Sequence, residues 1–242
     1  TYTLRLAYDL TPQMNVYAGV STGFKPTSWN LSQDSGPVPA DIPALQAAGA
    51  LPDVGFGPGV SNFRTGSRFA GPEESVVYEI GLKGEWDRIA ANVAIFSQEI
   101  DGFQSNAFTG TGFVLANAGK QSTDGVELDL TWAPVDGLRI GFAATWLDPL
   151  YDEFPGGVGL GGAPTDLSGL QPAGIPELAI NTNVTYNFEL GGIFSYLRVE
   201  HVFEDEVQVV DQIPSSIAAR EINMFNASAG MRFENGVELN LW

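Results

Sequence analysis

The sequence predicts an all-β chain: an antiparallel up-and-down transmembrane β-barrel wall of about ten strands. Three observations carry this. Segments of nine or more residues alternate strictly between apolar and polar side chains, the period of a strand whose two faces meet different surroundings. The connections alternate as well, short after each odd strand and long after each even one, which sorts every long loop to one end of the sheet. The apolar faces carry aromatic residues beside the short turns, where a bilayer interface favours them.

Composition agrees and excludes other classes. With 29 Gly, 15 Pro and 11% aromatic residues the chain favours strands and turns over helices. Hydrophobic residues reach 44%, yet no uninterrupted apolar run of about 18 residues exists, so no transmembrane helix is expected. Alternation hides membrane strands from hydropathy, so a mean hydropathy of +0.02 does not count against a barrel. A net charge of −18 argues against nucleic acid as a partner, since phosphate binding needs basic clusters. One histidine and no cysteine leave no constellation for nucleophilic or zinc chemistry, so the chain is read as no enzyme, with no intrinsic cofactor or metal. The absence of cysteine also suits an oxidising compartment. The chain opens directly into an alternating strand, so an export signal is expected upstream or already removed.

In order, the first strand (2–10) sets Tyr2, Leu4, Leu6, Tyr8 and Leu10 on one face against Arg5 and Asp9, and Thr11, Pro12 and Gln13 turn it round. The second (14–24) opens into a connection at residues 25–71, rich in Pro, Gly, Asp and Ser; a loop that long is functional or disordered. The third (75–86) places Val76, Tyr78, Ile80, Leu82 and Trp86 outward and Glu79, Lys83 and Glu85 inward. The fourth, from Ile89 to about Phe103, alternates less cleanly, and its register is open; a loop around 106–112 follows.

The fifth strand sets Val126, Leu128, Leu130 and Trp132 against Glu127, Asp129 and Thr131. After a turn at 133–137 the sixth answers with Leu138, Ile140, Phe142, Ala144 and Trp146, running to about Leu150. A glycine-rich loop at 151–174 leads to the seventh, whose inner residues Asn181, Asn183, Thr185 and Asn187 imply water. The eighth runs from Ile193 to about Glu204, with Leu197, Val199 and Phe203 outside and Arg198 and Glu200 inside. A third long loop spans 205–220. The ninth carries Phe225, Ala227, Ala229, Met231 and Phe233 on its apolar face. Asn235 and Gly236 are the strongest hairpin signal in the chain, and a short tenth strand starts at Val237. Tyr8, Trp86, Trp132, Phe188 and Phe233 all fall near short-turn ends, as a membrane girdle would.

Four stretches carry a resemblance: YAGVSTGFKP (17–26), PEESVVYEIGLKGEW (72–86), NAGK to GVEL (117–128) with its answering strand into Leu147, Asp148 and Tyr151, and GVELNLW (236–242). In this order they resemble the C-terminal part of the barrel of a TonB-dependent outer-membrane receptor. The resemblance implies a larger barrel of about 22 strands around a plug, with the plug, the first barrel half and the last strand outside this chain. It further implies a bacterial outer membrane setting with lipid and lipopolysaccharide as partners. TonB would act through a plug segment outside this chain to drive uptake of a scarce small-molecule nutrient, most often a ferric siderophore.

Function is then expected in the lumen and the long loops. Within 25–71, Trp29, Phe63, Arg64, Arg68 and Phe69 supply the aromatic faces and guanidinium groups that stack on and pair with an anionic chelate, and are the candidate ligand-binding residues. The plainer reading packs them against neighbouring loops. His201 is read as structural, and the acidic pairs at 152–153 and 204–206 as a solvated rim. Two alternatives stay open: a passive porin-like or stand-alone ten-stranded barrel, and a secreted β-rich adhesin.

Overall fold

The computed structural model describes residues 1–29, 42–47, 69–108, 113–117, 119–155, 157–159, 164–211 and 213–242. In chain order they form β1 (Thr3–Thr11), β2 (Met14–Lys25), β3 (Ser28–Trp29), the one-and-a-half-turn helix α1 (Ile42–Ala47), β4 (Phe69–Ala70), β5 (Glu73–Trp86) and β6 (Ile89–Asp101). There follow β7 (Gln104–Phe108), β8 (Phe113–Asn117), β9 (Lys120–Trp132), β10 (Leu138–Glu153), β11 (Gly157–Val158) and β12 (Pro164–Thr165). The last four are β13 (Leu178–Leu190), β14 (Ile193–Gln208), β15 (Ala219–Arg232) and β16 (Glu238–Leu241).

Ten of these strands make one antiparallel sheet in the order β1-β2-β5-β6-β9-β10-β13-β14-β15-β16, so that neighbours in sequence are neighbours in space throughout. The three short pairs β3-β4, β7-β8 and β11-β12 stand outside that sheet, all within the long connections. Among the described residues β1 and β16 each have one strand neighbour and do not pair with each other, so the sheet is open at both sides.

Register follows the side-chain pattern because a slip of one residue would exchange the two faces. Leu130 sits between Ala91 and Phe142, and Leu128 between Val93 and Ala144. On the opposite face Asp129 lies between Asn92 and Ala143, and Asn183 between Gly141 and Glu200. The strand whose alternation was unclear, β6, is settled by its neighbours: Ile89, Ala91, Val93 and Ile95 share the apolar face, while Phe96 and Ile100 turn to the polar one.

The apolar band has a measurable height. Ser97, Asp124 and Asp148 stand side by side in register on β6, β9 and β10, where the band ends. On β10 the band runs from Leu138 to Trp146; nine residues at roughly 3.4 Å each, tilted about 45°, rise roughly 22 Å, close to the apolar height of an outer-membrane barrel. The strands go on past it. The sixth and eighth strands were expected to stop near 150 and 204, but β10 continues to Glu153 and β14 to Gln208, while β15 begins at Ala219, inside the expected loop. Residues 106–108 of the expected loop at 106–112 likewise belong to β7, which pairs with β8. Beyond the band lipid no longer sets one face apolar and burial falls on isolated residues, Tyr151 on β10 and Val207 on β14, so the chain keeps its ladder without the apolar alternation of the wall.

The short turns use backbone freedom. Gly137 has φ +83°, and a Cβ there would run into the Asn187 carbonyl oxygen, which is held close because the Asn187 N–H donates to the Gly137 carbonyl at 2.8 Å.

Candidate functional site

Two regions gather side chains able to act on a solute: the polar face of the sheet and the bases of the long connections. On the polar face, Tyr17 lies across Gly81, whose missing side chain leaves room for the ring. The Arg5 guanidinium sits over that ring at 3.8 Å from its centroid, with the Lys83 ammonium at 5.5 Å. Further along, Arg198 pairs with Glu200, Arg232 Nε donates to Glu238 Oε1 at 2.6 Å, and the Tyr196 hydroxyl donates to Asn240 Oδ1 at 3.0 Å. These groups satisfy one another laterally and leave a hydrophilic wall. An aqueous lumen requires one and a dry core would not accept it.

At the loop end, the stem of the first long connection is made of β3 and β4, with Trp29 opposite Phe69 in register. The Trp29 side chain is exposed. Phe63, Arg64 and Arg68 lie outside the described residues; the backbones of Trp29 and Phe69 are brought side by side.

Sequence reasoning missed the residue that holds this stem. Gln104, at the start of β7, is 7% exposed; its Nε2 donates to the carbonyls of Pro26 and Gly71, each at 2.8 Å, and its Oε1 accepts from the Ser28 hydroxyl at 2.6 Å. Its backbone N–H donates to Glu73 Oε2 at 2.8 Å, and Glu73 also faces Lys25 at 3.7 Å. Asn117, the end of β8, adds a second grip: its Oδ1 accepts from the Gly71 N–H at 2.7 Å, and its Nδ2 donates to the Gly71 and Gly102 carbonyls. Asn117 stood in the NAGK stretch and was legible as a motif. Gln104 carried no local signal.

The connection at 151–174 holds a small apolar core. Tyr151, Phe154 and Leu167 are each about 5% exposed, with Phe103 packed against them. The Tyr151 ring stands edge-on to Phe154 at 5.0 Å and tilted to Phe103 at 5.9 Å. Its hydroxyl donates to Asp211 Oδ2 at 3.1 Å, and Asp211 Oδ1 accepts from the Ala173 N–H at 2.9 Å, so one carboxylate ties residues 151–174 to 205–220. Burial first, then the charge and hydrogen bond of Asp211, push the Tyr151 phenol well above its ordinary pKa. Asp166 moves the other way: the hydroxyl and backbone N–H of Ser168 hold its carboxyl below the usual range.

The acidic pairs at the rim have local partners. Asp152 Oδ1 accepts from the Ser122 hydroxyl at 3.0 Å, Glu204 lies 2.8 Å from Arg220, and Asp205 Oδ1 accepts from the Glu206 N–H at 2.8 Å. His201 is on the apolar face, stacked on Phe225 with centroids 4.2 Å apart and 3.0 Å from Asn223 Oδ1. Tyr8, Trp86, Trp132 and Phe188 stand on that same face beside the short turns, and Phe233 lies in the last short turn just past β15; Tyr8 is 69% exposed, Trp86 45% and Trp132 42%.

Over residues 1–242 the chain matches the model of the TonB dependent receptor-like β-barrel family. It belongs to that family. Its setting is therefore the bacterial outer membrane, and the apolar face of the sheet is the lipid-facing one. Among solved structures it is similar to the ferric yersiniabactin uptake receptor FyuA from Yersinia pestis, with TM-score 0.64 and 18% identity over 95% of this chain and 29% of that one. It is also similar to the siderophore receptor PiuA from Acinetobacter baumannii, with TM-score 0.62 and 20% identity over 98% of this chain and 30% of that one. The copper transporter OprC gives TM-score 0.58 and 16% identity over 98% of this chain and 32% of that one. The chain thus spans about 30% of the length of these proteins. At such identities they attest the fold. That one of them carries copper means the wall alone does not define a cargo.

Proposed function

We propose that this chain is wall and loop sequence of an outer-membrane receptor that imports a ferric siderophore, energised through TonB acting on a plug segment outside residues 1–242. The family match over the whole chain carries this reading. The hydrophilic wall beneath two anchored loop systems supports it, since a bulky solute must be captured outside and then passed along an aqueous lumen. The open sheet supports the larger barrel: in lipid, the free edges of β1 and β16 would leave backbone groups unsatisfied at several kcal/mol each, so further strands must cover them.

In this reading Trp29, Phe63, Arg64, Arg68 and Phe69 contribute aromatic and cationic contacts to the chelate, and Tyr8, Trp86, Trp132, Phe188 and Phe233 form the periplasmic girdle. Lipid and lipopolysaccharide cover the outer wall.

The test is radiolabelled-iron uptake by iron-starved cells whose only receptor is the full-length protein, supplied with a panel of ferric siderophores. Saturable uptake that disappears without TonB is expected. Unsaturable, TonB-independent passage would establish a porin instead, and uptake of copper but of no ferric complex would change the cargo. In the same cells, unchanged affinity after Arg64→Ala with Arg68→Ala would remove those arginines from the site.

A further inference from the structure

The connection between the first and second loop systems runs through two side chains, of which Gln104 alone reaches both legs of the stem. Pro26 and Gly71 flank the two legs of the first loop's stem, and the Gln104 amide donates to the carbonyls of both while accepting from Ser28 on one of them. Asn117, from the other leg of the β7-β8 hairpin, takes the Gly71 N–H as well. Both legs of the hairpin therefore grip the stem, and residues 30–68 emerge from a base that cannot shift without breaking bonds to the hairpin. Because Gln104 is nine-tenths buried, water is poorly placed to replace those bonds.

We propose that Gln104 is a positioning residue for ligand capture: without touching the ligand, it fixes the stem from which the ligand-contacting segment emerges and couples it to the β7-β8 hairpin. This rests on the reading of residues 25–71 as the ligand loop. The geometry dictates how substitutions rank. Gln104→Ala frees the Pro26 carbonyl and the Ser28 hydroxyl and leaves the Gly71 carbonyl to Asn117 alone. Gln104→Glu is worse, because it sets a carboxylate against those carbonyls and beside Glu73. Ser28→Ala removes one bond that Gln104→Ala has already removed, so the two are not additive.

The experiment uses the intact receptor and a ferric catecholate complex as probe, with hydrogen exchange measured on the same preparations. Barrel folding, read as heat-modifiable mobility in detergent gels, is expected to be unchanged in all variants. Probe affinity is expected to fall about ten- to a hundred-fold for Gln104→Ala, further for Gln104→Glu, and no further than Gln104→Ala for the double variant. Exchange at 26–29 and 69–71 is expected to rise in parallel. Faster exchange with unchanged affinity would overturn the positioning role, and unchanged exchange would overturn the clasp itself. A wild-type receptor that binds no ferric complex would sink the transport reading and the positioning role with it, while the exchange data would still report whether the clasp exists.

Discussion

The two ends of the sheet are held together by different physics. At the short-turn end the chain reverses within a few residues, using glycines of positive φ such as Gly137 and Gly236, and the side chains there are exposed aromatics. At the long-loop end lie nearly all the buried apolar residues of the described chain: Ala70, Tyr151, Phe154, Leu167 and Val207, with Tyr17 on the wall as the exception. A soluble β-protein would bury its core between sheet faces. Here lipid serves the strands as apolar surroundings, and protein packing is concentrated where the chain rises out of it. The wall should then depend on the membrane, and the loop clusters on their own side chains.

The largest expected effect tests that separation at the loop end. Tyr151→Ala removes a ring that is 4% exposed, at a cost of about 3–5 kcal/mol. The loss should appear as raised exchange and proteolysis confined to 151–174 and 205–220; unfolding of the whole barrel would show that the ends are not independent. Next, Leu128→Arg places a charge in the middle of the lipid-facing band of β9 and should cost about 2–4 kcal/mol in equilibrium unfolding from bilayers. Thr131→Arg, on the polar face of the same strand, should stay within about 0.5 kcal/mol. Reversed effects would mean the faces have been exchanged, and equal effects that the two faces do not differ.

The short-turn end should respond less. Gly236→Ala is expected to cost about 1–2 kcal/mol from its φ of +83° alone, and Gly137→Ala more, because its Cβ also meets the Asn187 carbonyl. Similar losses in refolding yield for the two would argue against that contact. The smallest effect among the loop and turn variants separates the Tyr151 ring from its hydroxyl. Tyr151→Phe keeps the packing and should cost about 1 kcal/mol. The sign of the pH dependence follows from the raised phenol pKa. Below about pH 10 the phenol is neutral in folded and unfolded chains alike, and its contribution is whole. As pH rises further only the unfolded chain readily loses the proton, so the loop cluster weakens toward the folded pKa. Proteolysis of 151–174 across that range should rise in the wild type and less in Tyr151→Phe.

Most of the wall was legible because its causes are local. Leu128, Leu130 and Trp132 declare a lipid-facing strand by their own spacing, and Asn235 with Gly236 declares a reversal by backbone chemistry. Legibility ended where the two environments ended. In the upper parts of β10 and β14 lipid no longer marks a face and burial falls on isolated residues such as Tyr151 and Val207, so their sequence lacks the alternation that distinguishes ladder from loop. In β6, Phe96 and Ile100 face inward while Ser97 and Glu99 face outward, which blurred the period until the registers to β5 and β9 resolved it. Of the candidate ligand residues, Phe63, Arg64 and Arg68 lie outside the described residues, and Trp29 and Phe69 share a register position that no spacing rule would pair across the intervening loop.

By itself the sequence determined the strand count of the main sheet, its two faces, the short reversals and, through four family stretches, the kind of wall this is, because each depends on neighbours two to ten residues away. Tertiary structure alone decided which loops are bound to which. Gln104 reaches Pro26 across 78 residues and Tyr151 reaches Asp211 across 60, and such bonds form only after the sheet has brought distant strand ends together. A lone glutamine or tyrosine looks the same in sequence whether it faces water or holds two loops. Its partners are supplied by the register of the strands beneath it.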